Sequence, residues 1–415
     1  MPAFAYRLTL ADTPVDSTFY GDVLALTVAE HTAGASTLRM RLLTERDGDG
    51  AWRHLADERL ALYTKVSVRI GFTAGGGLAA LLGALAGGLG GLGAGGSGDD
   101  GLEAVFDGYI TAVEVSLAGA PGASHLDVSA TDTSVLMSLE EKVAAWPNLS
   151  DADVVRQILG GYGVEARVDP TAAVRQENET TLVQRGSDLQ LVRELARRNG
   201  LEFYFETDRA TGQVVGHCRA PQLDGPPQPD LAVQFGEQSN LRSFSARVTG
   251  QRPLSVKAAQ VDVRSGSANT GEAGDMQLPP LGARDAAALI GGPLATLVAP
   301  KEAAARLLML GPPTSDPAEL RALTQAARDE AGWFISAKGE VNGDAYQAVL
   351  RPRRLVLVKG AGKPFSGKYY VTSVVHELRG DSGYSLSFEA RRNARDVDGS
   401  EQFGGGGLGL ALPGL

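Results

Sequence analysis

Cysteine and histidine are scarce in this chain. Cys218 is the only cysteine among 415 residues, which excludes an intramolecular disulfide and a cysteine-rich metal site. The five histidines are scattered and lack the short spacings of zinc motifs: His31, His54, His125, His217 and His376. The sequence therefore predicts no metal site, and a site assembled from distant positions is an alternative that nothing favours.

An excess of positive charge is also absent. The formal net charge is −10 at pH 7, whereas a nucleic-acid-binding protein needs a basic face for the phosphates, so we predict no nucleic-acid-specific binding. The N-terminal segment MPAFAYRLTLADTP has no basic stretch that leads into an apolar run, and we expect no signal peptide. Hydrophobic residues make up 43% of the chain and charged residues 21%, which is typical of a globular protein with a sizeable core.

Long apolar runs are missing, with one exception that is rich in glycine. The span from Gly71 to Gly98 contains 13 glycines. Glycine costs about 1 kcal/mol per residue relative to alanine in a helix, and a membrane span needs ~20 mostly apolar residues. We therefore interpret residues 71–100 as a loop inserted in a domain and predict no stable membrane span. The alternative is a hairpin that contacts a membrane or a partner.

The first third of the chain contains apolar residues that alternate with polar ones. This period of two is typical of half-buried strands, and it recurs at residues 4–10, 38–42, 66–70, 113–117 and 126–130. Repeated short strands of this kind are typical of a sandwich or a barrel. We predict a first β domain over residues 1–135, which carries the Gly-rich insert 71–100.

A capped helix and a strand follow each other between Gln184 and Glu206. Ser187 begins the helix, and Gln190 completes a capping box with it. One helical face is apolar and the other charged, made respectively of Leu189, Val192, Leu195 and Ala196 and of Arg193, Glu194, Arg197 and Arg198. Asn199-Gly200 ends the helix, and Leu201, Phe203 and Phe205 then alternate with Glu202, Tyr204 and Glu206. Together with an earlier helix that begins at Ser150, this predicts a small α/β domain over residues 136–240.

Strand patterns return over residues 241–395, most clearly at 369–378 and 384–391. Two helical segments interrupt them at about residues 300–332. The first is Glu302–Leu310, and the second is Pro317–Ala331 with Ser315 or Asp316 as its cap. Residues 396–415 are typical of a flexible Gly-rich tail. No sequence repeat is evident between the two β regions.

The segment Gly362–Lys368, GKPFSGK, fits the first seven positions of a phosphate-binding P-loop. The eighth position is Tyr369, where a Ser or Thr hydroxyl is needed for Mg²⁺. A P-loop also has to open a helix, whereas a β-branched and aromatic run follows here. We therefore predict a turn that leads into a strand, with no bound nucleotide and no cofactor.

Other motifs for chemistry are incomplete. His376-Glu377 begins like a zinc-protease motif but has no second histidine, and Arg379-Gly380-Asp381 is most simply a charged turn. Glu140-Glu141 and Asp151 with Asp153 are carboxylate pairs, yet helix starts attract acidic residues through the helix dipole alone. We predict no catalytic, cofactor-binding or metal-binding residues, and a protein that is not an enzyme.

Three segments resemble the hub proteins of contractile injection systems, which include late control protein D of contractile phages and the front half of VgrG. They are Phe106–Ile110 (FDGYI), the helix and strand from Ser187 to Phe203, and Phe365–Val371 (FSGKYYV) with His376. The chain departs from the family pattern at Leu191, where an aromatic residue is usual, and in its Gly-rich insert.

The resemblance implies a mainly β, α+β protein in which two tube-like antiparallel β-barrels flank the small α/β domain. Similar proteins form pseudo-sixfold homotrimers that adapt a hexameric inner tube to a trimeric spike. The expected partners are therefore a further two copies, the inner tube protein, the trimeric spike protein and other baseplate proteins, assembled in the bacterial cytoplasm. A β-rich hydrolase with dispersed carboxylates and a carbohydrate- or receptor-binding tail module are the alternatives. The choice between phage tail, secretion system and extracellular injection particle stays open.

Overall fold

A computed structural model describes residues 3–73, 101–172, 175–178, 181–262, 266–297, 306–310, 316–380, 383–399 and 401. Most of the predicted Gly-rich insert, Asp381 of the predicted charged turn and 15 of the 20 residues of the predicted tail lie outside these residues.

The first β region confirms the strand pattern of the sequence. Its elements are strands β1 (Ala3–Leu10), β2 (Thr13–Pro14), β3 (Val23–His31), β4 (Thr37–Leu43), β5 (Lys65–Thr73), β6 (Glu103–Ser116) and β7 (His125–Asp132), with helix α1 (Ser17–Asp22). The apolar residues predicted to alternate are buried in three of the five segments, and in the segment 4–10 Leu8 and Leu10 are buried while Phe4 and Tyr6 are half-buried. In the fifth, Val113 and Val115 are 40% and 47% exposed, because the second half of β6 extends past the end of β5.

The middle of the chain contains both helices and strands, as the sequence pattern predicts. It contains β8 (Glu141–Trp146), α2 (Asp151–Gly161), β9 (Glu165–Val168), β10 (Leu182–Ser187), α3 (Asp188–Arg198), β11 (Glu202–Thr207) and β12 (Val214–Arg219). Strands β8 and β10 form one small sheet, and β11, β12 and β9 form another, in which β12 and β9 are parallel. A separate apolar core fills this unit, with Val192, Leu195 and Phe203 among its buried residues.

The predicted caps of helix α3 are confirmed. The Ser187 hydroxyl accepts a hydrogen bond from the Gln190 amide, and the Gln190 side chain accepts one from the Ser187 amide at 3.0 Å. Gly200 takes a φ of +69° just after the helix, which is the left-handed conformation that ends helices. Two residues that were predicted to lie on polar faces have partners within the protein. Glu202 is buried, and Arg198 forms an ion pair with Asp151.

The last part of the chain is again mainly β. Its elements are β13 (Gln228–Ala232), β14 (Leu241–Val248), β15 (Ser255–Val261), β16 (Ala268–Ala273), β17 (Arg284–Asp285), α4 (Gly292–Leu297), β18 (Arg306–Leu310), α5 (Pro317–Gly332), β19 (Ile335–Asn342), α6 (Gly343–Tyr346), β20 (Leu355–Lys359), α7 (Gly362–Phe365), β21 (Gly367–Arg379), β22 (Gly383–Arg392) and β23 (Ala394–Arg395). Short 3₁₀ or π turns lie at Glu58–Leu60, Thr133–Ser138, Gly236–Gln238 and Ala287–Gly291.

One of the two predicted helical segments at 300–332 is wrong where the structure describes it. Residues 306–310 form strand β18, which pairs in parallel with β15 as the third strand of a small sheet. A short apolar run has no periodicity that separates strand from helix, and the backbone of β15 decides the outcome here. The second helix is confirmed as α5, with the Asp316 carboxylate as its cap.

The two β regions share one 13-stranded sheet, in which strand β3 of the first region pairs antiparallel with β21 of the second. One apolar core lies under both regions and includes Leu26 and Val28 from β3 as well as Val374 and Leu378 from β21. The mainly β class with a large antiparallel sheet is thus confirmed. The division into domains at residues 135, 240 and 395 stays a prediction.

The two β regions repeat the same strand order. The first runs β3-β4-β7-β6-β5 and the second runs β14-β19-β22-β21-β20, with antiparallel pairing throughout both. The pairing register shifts between Ile110 and Ala112 in β6 and between Val371 and Ser373 in β21. Around these bulges the sequences match, as YITAV at 109–113 and YVTSV at 370–374. The repeated strand order is thus visible in the sequence as a short match at the point where a strand has to bend.

Candidate functional site: a buried ionic junction

Charged side chains from three parts of the chain meet under the large sheet, at a place we call the ionic junction. Its centre is Arg351, whose Nη2 lies 2.9 Å from Oε1 of Glu30 on β3. The Arg351 Nη1 donates to the carbonyl oxygen of Ala104 on β6 at 2.8 Å. Both side chains of this ion pair are almost completely buried, at 6% and 2% exposed. The pair therefore ties the segment that leads into β20 to two strands of the first β region.

His376 completes the junction from β21. Its ring is fully buried, with Nδ1 at 2.8 Å from the Tyr384 hydroxyl and Nε2 at 3.3 Å from Oε2 of Glu30. This is the histidine of the segment that resembles the hub family. Its partners are a phenol and an ion-paired carboxylate, so both ring nitrogens are committed to the protein's own groups.

The middle unit reaches the junction through strand β11. The Glu206 carboxylate lies 3.7 Å from Arg351 and 3.3 Å from Arg354, and the guanidinium of Arg353 lies 4.2 Å from the centre of the Tyr204 ring. The side chains of β11 predicted to form its polar face thus contact the second β region instead of solvent. Charge pairing and a cation–π contact fix the middle unit against the large sheet.

The junction keeps the carboxylates of Glu30 and Glu206 ionised. Burial disfavours the charged form of Glu30, but Arg351, His376 and Arg353 outweigh it and lower the pKa of Glu30 to about 2. Burial likewise opposes ionisation of Glu206, and the charges of Arg351, Arg353 and Arg354 lower its pKa. The lowered pKa of both carboxylates thus reflects their attraction to the surrounding arginines.

A second contact between the middle unit and the sheet is centred on Glu202. Its carboxylate accepts hydrogen bonds from the Tyr370 hydroxyl and, at 2.8 Å, from Arg391. The Arg391 guanidinium in turn lies 4.3 Å from the centre of the Trp333 ring. Burial raises the pKa of Glu202 despite the neighbouring Arg391 charge.

A third contact joins helices α2, α3 and α5. Asp151 on α2 pairs with Arg198 on α3 at 2.6 Å and with Arg175 at 2.8 Å, and Arg175 also pairs with Glu319 on α5. Burial opposes the charge of Asp151, but Arg198 and Arg175 lower its pKa. The two carboxylates of the predicted pair therefore have different structural roles. Asp151 forms ion pairs with arginines, whereas Asp153 is hydrogen-bonded to Ser150 at the N-terminus of α2.

The P-loop-like segment Gly362–Lys368 forms a single helical turn, α7, which is followed by strand β21. Lys368 lies on that strand, where it pairs with Leu357 of β20. The order of helix and strand is therefore the reverse of the one that cradles phosphate. This agrees with the predicted strand-entry turn.

The remaining candidates are separated in space. His54 pairs with Asp22 at 2.8 Å, His31 contacts Ser373 at 3.0 Å, and His217 stacks on Tyr204. Within the described ranges, no group of three or more His, Cys, Asp or Glu side chains is placed to hold a metal ion.

Burial raises the pKa of the Cys218 thiol to about 12, which leaves it protonated and a poor nucleophile at neutral pH. No helix in the described part of the chain is long and apolar enough to cross a membrane.

The ionic junction was not predicted from the sequence. Its clearest local signal is the run Arg351-Pro352-Arg353-Arg354, three arginines directly before the fully buried strand β20. Arginines at such a place need buried acidic partners. The partners Glu30, Glu103 and Glu206 are distant in sequence, and each one alone is typical of a solvated strand residue.

Comparisons with known proteins agree with this architecture. A family model, the Alg8 N-terminal domain, matches residues 95–380. No curated protein matches the chain. The 43 kDa tail protein of prophage MuSo2 from Shewanella oneidensis has a similar structure, with a TM-score of 0.60 and 12% identity over 95% of this chain and 100% of that one.

Two further solved structures are similar. The tail protein from Neisseria meningitidis has a TM-score of 0.59 and 11% identity, covering 94% of this chain and 97% of its own. A type VI secretion component of E. coli, described as similar to the T4 bacteriophage tail proteins gp27 and gp5, has a TM-score of 0.50 and 15% identity, covering 93% and 76%. The resemblance to hub proteins stated from the sequence is thus confirmed at the level of the fold.

Proposed function

The chain belongs to the family of the Alg8 N-terminal domain, and from this premise and its fold we propose that it is the structural hub of a phage-tail-like contractile injection system. It acts as a homotrimer that adapts a hexameric inner tube to a trimeric spike. Its task is to present surfaces, and it carries out no chemical reaction.

The repeated strand order of the two β regions is the observation that carries the proposal. One chain contains two similar sheets, β3-β4-β7-β6-β5 and β14-β19-β22-β21-β20, joined edge to edge. Three such chains supply six similar sheets and three copies of everything else. A threefold assembly of this kind matches six tube subunits on one face and three spike chains on the other.

The ionic junction supports the same role. A hub transmits force between a tube and a spike, and it needs its sheets and its middle unit to stay in a fixed relation. Three buried contacts, centred on Glu30, Glu202 and Asp151, hold that relation. We propose that residues 1–135 and 241–395 are the two tube-like domains and that residues 136–240 are the unit between them.

The proposed partners are the inner tube protein, the trimeric spike protein and other baseplate proteins, and assembly takes place in the bacterial cytoplasm. Light scattering of the purified chain, alone and mixed with tube and spike proteins, tests the proposal. We expect the mass of three chains, and a ring with an open centre in electron micrographs. A chain that stays monomeric at every concentration, including in the presence of tube and spike, would falsify the hub function.

A further inference from the structure

The large sheet has open strand edges within the described ranges, and those of β14 and of the second half of β6 are among them. Strand β14 pairs on one side only, with β19. Strand β6 leaves β5 at Tyr109, and from Ala112 to Ser116 it pairs only with β7. Open edges of this kind are templates for further strands, and soluble proteins usually cover or charge them.

The chain itself shows how such edges join. Strand β21 leaves β20 at Tyr370, and its continuation from Ser373 to Arg379 pairs antiparallel with β3. In that register Val374 lies opposite Glu30 and Leu378 lies opposite Leu26. This is the junction between the first and the second β region.

The repeated strand order makes β6 the counterpart of β21, and β14 the counterpart of β3. The bulges align the pairs residue by residue. In β6 and β21 the register shifts after Ile110 and after Val371, so position 113 corresponds to 374. In β3 and β14 it shifts after Val23 and after Leu241, so position 30 corresponds to 248.

We propose that β14 of one copy pairs antiparallel with the second half of β6 of the next copy, in the register that β3 and β21 use within the chain. Val113 then lies opposite the neighbour's Val248, Glu114 opposite its Arg247 and Val115 opposite its Ala246. This inference rests on the proposed trimeric hub and adds to it the strands, the direction and the register of the contact.

The side chains at the two edges are complementary in that register. Val113, Val115 and Leu117 are 40%, 47% and 49% exposed, and the opposing Val248 is 39% exposed. They lie on the face that β7 buries, because Val113 pairs with Val128 and Val115 with Leu126, both of which are in the core. The next copy would therefore extend the apolar core, and on the other face Glu114 would meet Arg247 with opposite charge.

The two edges are different, so the contact is head to tail. A head-to-tail contact cannot close into a twofold dimer, and it continues until a rotation brings the last copy back to the first. The geometry thus accounts for a ring of identical chains in which junctions within and between chains alternate.

Disulfide trapping tests the register. The only native cysteine, Cys218, is 1% exposed, so introduced cysteines dominate the surface chemistry. Cross-strand pairs have Cα atoms about 4.5–5.5 Å apart, within the range that a disulfide spans. We expect the double variant Val113→Cys/Val248→Cys to give covalent trimers after mild oxidation. A mixture of the two single variants should give covalent dimers and nothing larger.

The matched control is Val113→Cys/Arg247→Cys, in which the two side chains lie on opposite faces of the paired strands and should not link. Charge reversal gives a second readout. Glu114→Arg or Arg247→Glu alone should weaken assembly about fivefold, and the double swap should restore it, since opposed charges differ by about 1 kcal/mol from like charges.

Trimers by light scattering that do not link through 113 and 248, or that link equally through 113 and 247, would overturn the register and leave the hub function standing. A monomer under every condition would overturn both.

Discussion

Replacing Arg351 with methionine removes the central cation of the ionic junction and keeps most of the apolar length of the side chain. The native guanidinium lies 2.9 Å from Glu30 and 3.7 Å from both Glu103 and Glu206, and the side chain is 6% exposed. The variant leaves Glu30, which is 2% exposed, without its closest cation. Breaking a buried ion pair on one side costs about 3–5 kcal/mol of unfolding free energy.

The lowered pKa of Glu30 expresses its attraction to Arg351, His376 and Arg353 together on the pH scale. It lies near 2 in the folded chain, compared with an ordinary value of 4.5. That difference corresponds to about 3 kcal/mol, because each pKa unit is worth 1.36 kcal/mol. A lowered folded pKa stabilises the protein above the ordinary value, and this stabilisation is lost as the pH falls from about 4.5 towards 2. The difference between native chain and variant should therefore shrink in this window.

Urea unfolding followed by tryptophan fluorescence measures the effect at pH 7 and at stepwise lower pH. The control is Arg354→Met, which removes the same group from a side chain that is 49% exposed and lies 3.3 Å from Glu206. An exposed pair of this kind should cost about 0.2–1 kcal/mol. If Arg351→Met is no more destabilised than Arg354→Met, the junction does not hold the three parts of the chain together, and the reasoning fails.

Leu195→Ala should lower the unfolding free energy by about 2–5 kcal/mol, because the side chain is 1% exposed in the core of the middle unit. The control Arg197→Ala lies on the exposed face of the same helix and should change the unfolding free energy by no more than about 0.5 kcal/mol in the same urea titrations. If Leu195→Ala unfolds like the parent but no longer assembles, helix α3 is an interface element instead. Calorimetric titration of ATP with Mg²⁺ should show no saturable binding, because Lys368 lies on a strand; a micromolar affinity that depends on Lys368 would contradict this. Residues 75–98, which lie outside the described ranges, are predicted to be replaceable by a short Gly-Ser linker with little change in melting temperature, because loop closure costs only about 0.6 kcal/mol per doubling of length. A large loss of stability would show that they pack into the core.

The sequence by itself determined the features that depend on neighbouring residues. The capping box of Ser187 and Gln190, the stop at Gly200 and the cap at Asp316 are all present where the sequence predicts them. Each is a hydrogen bond or a backbone conformation set within four residues of chain, so the sequence contains both partners. The alternating strands were equally readable, because the period of two is a property of the strand itself.

The bulge in β6 could have been predicted from the sequence. Phe106 and Ile110 are apolar at even positions, and the apolar positions become odd from Val113 onwards. A change of parity inside one strand requires an extra residue, which the structure places at Thr111. The matching change in β21 would have revealed the internal repeat.

Only the tertiary structure decided which surfaces of these elements meet. Glu202 and Glu206 alternate with apolar residues in the way that is typical of a solvated strand face. They lie in the interior because they form ion pairs with Arg391 and Arg351, which are more than 140 residues away in sequence. Residues 306–310 became a strand because β15 offers an edge. The pairing of β3 with β21 unites two β regions that the sequence presents as separate. Such long-range pairings depend on backbone groups and charges that any strand of suitable length presents, so local sequence cannot select among them.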